Sequence, residues 1–196
     1  MREVTREEFE QALRPMDYTM VRGRTFFGAL QKTESRSQDV PKEYFMTHGS
    51  VQTDPPILTE SDFSGVQINP ISRYYTAHHL IKVFRCKELR PDQIQYGKMW
   101  LDGAVENGAP YGKLGIVEMG KRFWAHIWGR AYQMKDRPGS FCIELIARLA
   151  RNIGLPFVPD YQTWEISPSL ACLWMTLDDR WELIAVFDKG KYYLPE

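Results

Sequence analysis

Three cysteines, at positions 86, 142 and 172, are the side chains of this sequence best suited to covalent chemistry. Cys142 has the most suggestive place. It falls near the second position of a helix expected over residues 140–153, opened by Gly139-Ser140 with Ser140 as N-cap. The first N–H groups of a helix have no intrahelical acceptor, and together with the helix dipole they favour negative charge. A thiolate is favoured at such a position, and the thiolate is the nucleophilic form. A neighbouring backbone N–H is suited to holding an oxyanion. The competing reading is a structural cysteine buried on an amphipathic helix, since free cysteine packs as a small hydrophobe. Cys86 follows an apolar strand, and Cys172 lies inside Ala171-Cys172-Leu173-Trp174; both read as core.

The other polar and aromatic clusters point less clearly to chemistry. His78 and His79 are adjacent and would project to opposite sides of a strand, a poor metal pair. His126 lies between Trp124 and Trp128 and reads as packing. Phe123, Trp124, Trp128 and Tyr132 recur as a helix face and read as core, with a wall of a substrate groove beside Cys142 as the alternative. Lys121-Arg122, Arg148 and Arg151 read as solvated faces. Glu144 reads as structural, capping the helix start or pairing with an arginine. The cysteine number is odd and no Cys-x-x-Cys pair occurs, so neither a disulfide framework nor a thiolate zinc site is expected. No metal and no organic cofactor is called for.

The elements that must position these residues are legible in outline. Thr5 and Glu8 have the form of a capping box, and Phe9, Ala12 and Leu13 give a helical stripe over residues 6–14, stopped by Pro15. Residues 18–21 form a candidate strand ending at Arg22-Gly23-Arg24, and residues 31–43 are polar and read as a loop. Strand signals run through 44–46 to His48, then over 57–59 after the Pro55-Pro56 turn, through Gly65, Val66 and Ile68 as an outer strand, and over 80–84. Residues 91–107 read as a helix with Ile94, Met99, Trp100 and Val105 on its apolar side. Residues 108–136 are rich in glycine and aromatics and carry no clear signal. In the cysteine helix Ile146, Leu149 and Ile153 recur at helical spacing before Gly154 and Pro156 close it. Ser167-Pro168 starts a short helix to about residue 173. Strands at 181–187 and 192–194 flank Asp188-Lys189-Gly190-Lys191 as a terminal hairpin. Strands, a long helix, the cysteine helix and a hairpin make an α+β pattern.

With 43% hydrophobic and 26% charged residues, the composition is that of a folded globular chain. The 25 basic and 25 acidic residues cancel, so no nucleic-acid footprint is visible. No stretch approaches the roughly 20 apolar residues of a membrane span. The charged start lacks an apolar signal core. Reduced thiols in the compartment of synthesis are therefore expected, a cytoplasmic location, with delivery to an envelope or a viral particle requiring another route. The expected organisation is an N-terminal helical extension over 1–15, a main domain over 16–176, and a hairpin over 177–196 packed on it.

Several segments, in order, resemble the circularly permuted branch of the NlpC-like papain-fold hydrolases, related to the lecithin retinol acyltransferase group. Asp17-Tyr18-Thr19-Met20-Val21-Arg22-Gly23 is similar to the opening strand of that family. Thr47-His48-Gly49-Ser50-Val51 looks like its histidine segment. Ile57-Leu58-Thr59-Glu60 with Gly65-Val66-Gln67-Ile68 resembles the next strand pair, and Pro70-Ile71-Ser72 with 81–85 the following loop and strand. Tyr111-Gly112 and Leu114-Gly115-Ile116 resemble the stretch before the cysteine helix. Phe141-Cys142-Ile143-Glu144-Leu145-Ile146 is similar to its aromatic-x-Cys-Ser-Glu-Leu-Val signature, with Ile143 in place of serine. Gly154-Leu155 and Ile166-Ser167-Pro168-Ser169-Leu170 resemble the closing segment.

The resemblance implies a permuted papain-like fold, an antiparallel sheet packed against helices that include the one bearing Cys142. It makes Cys142 the nucleophile and His48 the base. A third polar group should fix the imidazole through its other nitrogen. Between His48 and Glu60 there is room for a strand, the Asp54-Pro55-Pro56 turn and a second strand. Glu60 is therefore expected beside His48, with Asp62 as the fallback if the register differs. The implied activity is hydrolysis of an amide or ester through an acyl-enzyme, on cell-wall peptides first and lipid acyl groups, by hydrolysis or acyl transfer, next. The alternative is a catalytically silent binding or assembly module of the same fold, as in a viral particle or secretion complex, with the terminal helix and hairpin available for docking to a protein partner.

Overall fold

The computed structural model describes residues 1–23, 38–62, 64–109, 121, 124, 125, 128, 142–155, 157–159 and 161–196. The expectations for Ser140, Phe141, Arg24, Arg122, Phe123, His126, Tyr132, Pro156, Tyr111-Gly112 and Leu114-Gly115-Ile116 lie outside the described residues, as does most of the 31–43 loop. Among the described residues the chain is α+β. It runs β1 (Arg2–Val4), α1 (Arg6–Ala12), β2 (Tyr18–Arg22), β3 (His48–Asp54), β4 (Ile57–Asp62), β5 (Gly65–Pro70), β6 (Leu80–Cys86), α2 (Pro91–Glu106), α3 (Cys142–Asn152), α4 (Pro168–Leu177), β7 (Trp181–Asp188) and β8 (Lys191–Leu194). All eight strands belong to one antiparallel sheet in the order β1-β8-β7-β6-β2-β3-β4-β5.

The local chemistry explains most boundaries. Thr5 and Glu8 close a reciprocal capping box at α1, and the helix stops at Ala12. The hairpin between β7 and β8 turns through Lys189 at φ 51° and Gly190 at φ 84°, the left-handed pair that matches the twist of a two-residue loop. Gly154, at φ 70°, ends α3; its own N–H and that of Leu155 return to Arg151 and Ala150, satisfying carbonyls that α3 leaves open. Ser167 caps α4 by accepting the Leu170 N–H at 3.1 Å, with Pro168 at the first helical position. Once started, α4 continues past residue 173 to Leu177, because Met175 still faces the core.

Side chains of successive strand residues enter two apolar clusters. Tyr18, Met20, Val51 and Phe84 pack with α3 and α4 through Ile143, Ile146, Leu149, Ala171 and Met175. Val21, Leu58, Ile81, Val83 and Phe187 pack with Phe9 of α1 and Ile71. The β7–β8 hairpin and β1 are thus strands of the same sheet that carries β3.

Four expectations need correction. Residues 44–46 are not a strand: Lys42–Tyr44 forms a 3-10 turn, and the ladder begins only at His48. Met99 is 64% exposed, because α2 presents Ile94, Gly97, Leu101 and Ala104 inward at spacings of three and four. Trp124 and Trp128 are 59% and 72% exposed, so they are not core. His78 and His79 lie in the turn before β6 and not on a strand.

The approach of α3 to β3 leaves no room at Gly49. A Cβ there would lie 2.9 Å from Ile146 Cδ1, 3.1 Å from Ile143 Cδ1 and 3.2 Å from Met20 Cε. Three side-chain tips would have to shift together, and a branched side chain reaches further into them than a Cβ alone. Gly49→Val is expected to destabilise the fold by about 1–3 kcal/mol. Gly103, in the interior of α2 with nothing within 4 Å of a new Cβ, is the contrast. Gly103→Ala is expected to stabilise by about 0.5–1 kcal/mol. Urea unfolding of both variants checks the pair; equal effects would contradict this packing.

Candidate active site

His48 is the first residue of β3, and the backbone just before it is pinned on both sides. Thr47 N–H donates to Val21 O at 2.8 Å, and Thr47 Oγ1 accepts the Gly23 N–H at 2.9 Å. Met46 exchanges two hydrogen bonds with the Ser169 hydroxyl of α4, at 2.9 and 3.1 Å. The β3–β4 register pairs Ser50 with Glu60. His48 stands two residues before Ser50, on the same side of the strand, so it is the diagonal neighbour of Glu60. The contact follows: His48 Nε2 and Glu60 Oε2 are 2.7 Å apart.

Glu60 has no exposed surface. A buried carboxylate is costly unless it is paired and hydrogen-bonded, and this one has four partners. Oε2 is shared by His48 and the Tyr74 hydroxyl, which donates at 2.6 Å. Oε1 accepts from Asn69 Nδ2 at 2.9 Å and from Arg73 Nη1 at 2.7 Å. Asn69 comes from β5, and Arg73 and Tyr74 from the 3-10 turn Ile71–Tyr74 that follows it. Burial works against ionisation of Glu60, but the His48, Tyr74 and Arg73 groups overcome it and hold its carboxyl below the usual range. The Tyr74 hydroxyl is pushed up, by burial and then by the Glu60 charge.

Cys142 opens α3 as described, packs in the apolar cluster on that side of the sheet, and is 3% exposed. Its sulfur lies near enough to the His48 ring to favour the ring's charged form. Burial alone would lower the His48 pKa; the Cys142 sulfur and then Glu60 outweigh it and raise it to about 10. The ring side chain keeps 18% exposure.

The sequence-derived trio of Cys142, His48 and Glu60 therefore meets in space. The fallback Asp62 takes other work: it accepts the Ser64 N–H at 2.8 Å, bonds Gln67, and lies 4.0 Å from Arg73. Asn69, Arg73 and Tyr74 were not legible, since their contact depends on a turn leaving the far side of β5. Glu144 is buried and paired with Arg148 at 2.6 Å, so Arg148 is not a simple solvated residue. Cys86 and Cys172 are buried, and burial pushes both thiols up, Cys172 to about 11. Among the described residues no group of three or more His, Cys, Asp or Glu side chains could hold a metal ion, and no helix is long and apolar enough to cross a membrane.

No protein-family model and no curated protein matches this chain.

His48 is expected to remain protonated near pH 8, where an ordinary histidine is neutral. Cys142→Ala or Glu60→Gln should lower its midpoint in an NMR titration of the imidazole nitrogens. A midpoint near 6.5 in the unsubstituted chain would contradict this arrangement. The folded-state pKa lies above the unfolded one. The stabilisation it brings is therefore complete below about pH 6.5 and is lost as pH rises toward about 10.

Proposed function

We propose that the protein is a cysteine-nucleophile hydrolase or acyl transferase acting on an amide or ester, built on a permuted papain-like fold. The observation that carries this reading is one imidazole held between the Cys142 sulfur and a fully buried carboxylate, Glu60. This is the nucleophile, base and orienting group of a catalytic triad, recognised by roles and not by chain order. The fold is supported by the resemblance, by the antiparallel sheet, and by α3 packing on β3 so that a histidine early in the chain meets a cysteine late in it.

In this mechanism the Cys142 thiolate attacks the acyl carbon. The His48 imidazolium gives its proton to the leaving amine or alcohol, and an acyl-enzyme forms on sulfur. The neutral ring then takes a proton from water, which attacks the thioester and releases the acid. Glu60 keeps the ring oriented and favours its charged form. Cell-wall peptides are the first substrate class by resemblance, and lipid acyl groups the second.

The 3% exposure of Cys142 favours a second reading, a binding or assembly module in which the sulfur is structural. Iodoacetamide separates the two. In the enzyme, Cys142 is alkylated at neutral pH well ahead of Cys86 and Cys172, whose thiols are held up by burial. His48→Ala slows that reaction by about 100-fold or more. Equal labelling of the three cysteines, or a rate indifferent to His48, would leave only the binding module. A thioester on Cys142 trapped from an activated acyl donor and located by mass spectrometry would be the direct product of the proposed chemistry.

A further inference from the structure

We propose that the cleft beside the end of β2 is a substrate subsite for a carboxylate, which on the hydrolase reading above directs this site to acyl substrates with a free acid group. The cleft holds about 240 Å³ and is lined by Arg22, Gly23, His78, His79, Asp188 and Lys189 among others. That is room for a carboxylate and a few waters.

Its position relative to the reacting groups follows from register. Val21 pairs with His48, and Arg22 and Gly23 come directly after Val21. The cleft therefore opens at the end of the sheet where His48 begins β3. The Tyr74 ring neighbours both places. The Tyr74 ring centroid is 5.9 Å from that of His48 and 5.6 Å from that of His79. His79 is fixed by Thr76 Oγ1 at 2.7 Å from its Nδ1. Its ring lies so close over Gly23 that a Cβ there would be 2.9 Å from Cδ2 and Nε2. The absent side chain at position 23 lets the ring seat against the backbone and form one wall of the cleft.

The charge of the lining selects the ligand. Arg73, Arg85, Arg148 and Arg180 each meet a carboxylate. Arg22 and Lys189 form no ion pair with another described residue. Burial and the neighbouring His78 lower the His79 pKa, so that ring adds no fixed charge. Among the described lining residues, two permanent cations against Asp188 leave one excess positive charge. A single carboxylate matches it, and a guanidinium binds a carboxylate in fork geometry. An acyl chain on Cys142 that passes Tyr74 would bring such a group to the cleft.

The test uses the complete chain and paired alkylating peptides, N-bromoacetyl mono-, di- and trialanine, each as free acid and as C-terminal amide. The rate at Cys142 is measured for each and divided by the iodoacetamide rate of the same protein. The free acid is expected to exceed the amide by about tenfold at one length, the size of a hydrogen bond to a charged group. Arg22→Gln and Lys189→Asn, each checked for folding by circular dichroism, are expected to abolish that preference. Asparagine suits the left-handed backbone of position 189, so this variant answers alone if Arg22→Gln fails to fold. Equal acid and amide rates at every length, with fast His48-dependent iodoacetamide labelling, overturn the subsite and leave the hydrolase standing. So does an acid preference that neither substitution alters, which would come from the His48 charge. Slow, His48-independent labelling overturns the hydrolase reading and the subsite with it.

Discussion

A carboxylate with no exposed surface sets the terms for one half of this molecule. Taking a charge the size of Glu60 out of water costs several kcal/mol even after relaxation, unless donors and an opposite charge replace the lost solvent. Four groups do so here, and each constrains a different element. His48 requires that β3 and β4 pair with Ser50 opposite Glu60. Asn69 requires the β4–β5 register, and Arg73 with Tyr74 requires the chain to turn at Ile71–Tyr74 and come back over the strand end. A slip of one residue in either pairing would turn Glu60 to the other face of the sheet and leave those donors empty. The polar grip and the strand register are therefore one constraint.

The sulfur is positioned by opposite means. The imidazole lies beside Cys142, but the helix that carries the sulfur is placed by Ile143 and Ile146 closing over Gly49 and Met20. Close packing fixes such a contact because interiors tolerate little change of volume. The imidazole is thus held by a hydrogen bond to Glu60, while the sulfur beside it rides on a part set through apolar fit. Both arrangements meet at ends of elements, the first residue of β3 and the first described residue of α3.

What could be read from the residues alone divides along physical lines. Caps, turns and short alternating strands are local, and the Thr5–Glu8 box, the Lys189-Gly190 turn and the Gly154 stop are all visible within a few residues. The choice of Glu60 over Asp62 is half legible: strand length and turn position put Glu60 beside His48, but only the contacts of Asp62 with Ser64, Gln67 and Arg73 set the alternative aside. Met99 was misplaced because α2 is inward-facing at Ile94, Gly97 and Leu101, and a glycine is an invisible member of an apolar stripe. The exposure of Trp124 and Trp128 follows from what lies against them, which spacing does not encode. Arg73 and Tyr74 escaped notice for the same reason. They sit just past a strand, in a turn whose direction depends on packing elsewhere.

The direction of the ring follows from this layout. Nε2 of His48 points across the sheet to the next strand, because Glu60 is on the neighbouring strand and on the same face. The sulfur comes to the ring from α3, which packs on β3. Any chain that lays a cysteine helix over a histidine strand, with an acceptor one strand further on, arrives at this arrangement, whichever segment is made first. Order along the polymer is free as long as the neighbours in space are kept. That is the physical reason three side chains can meet in space whatever their order in the sequence. It is also why the meeting of Cys142, His48 and Glu60 carries more weight than any short motif around the cysteine.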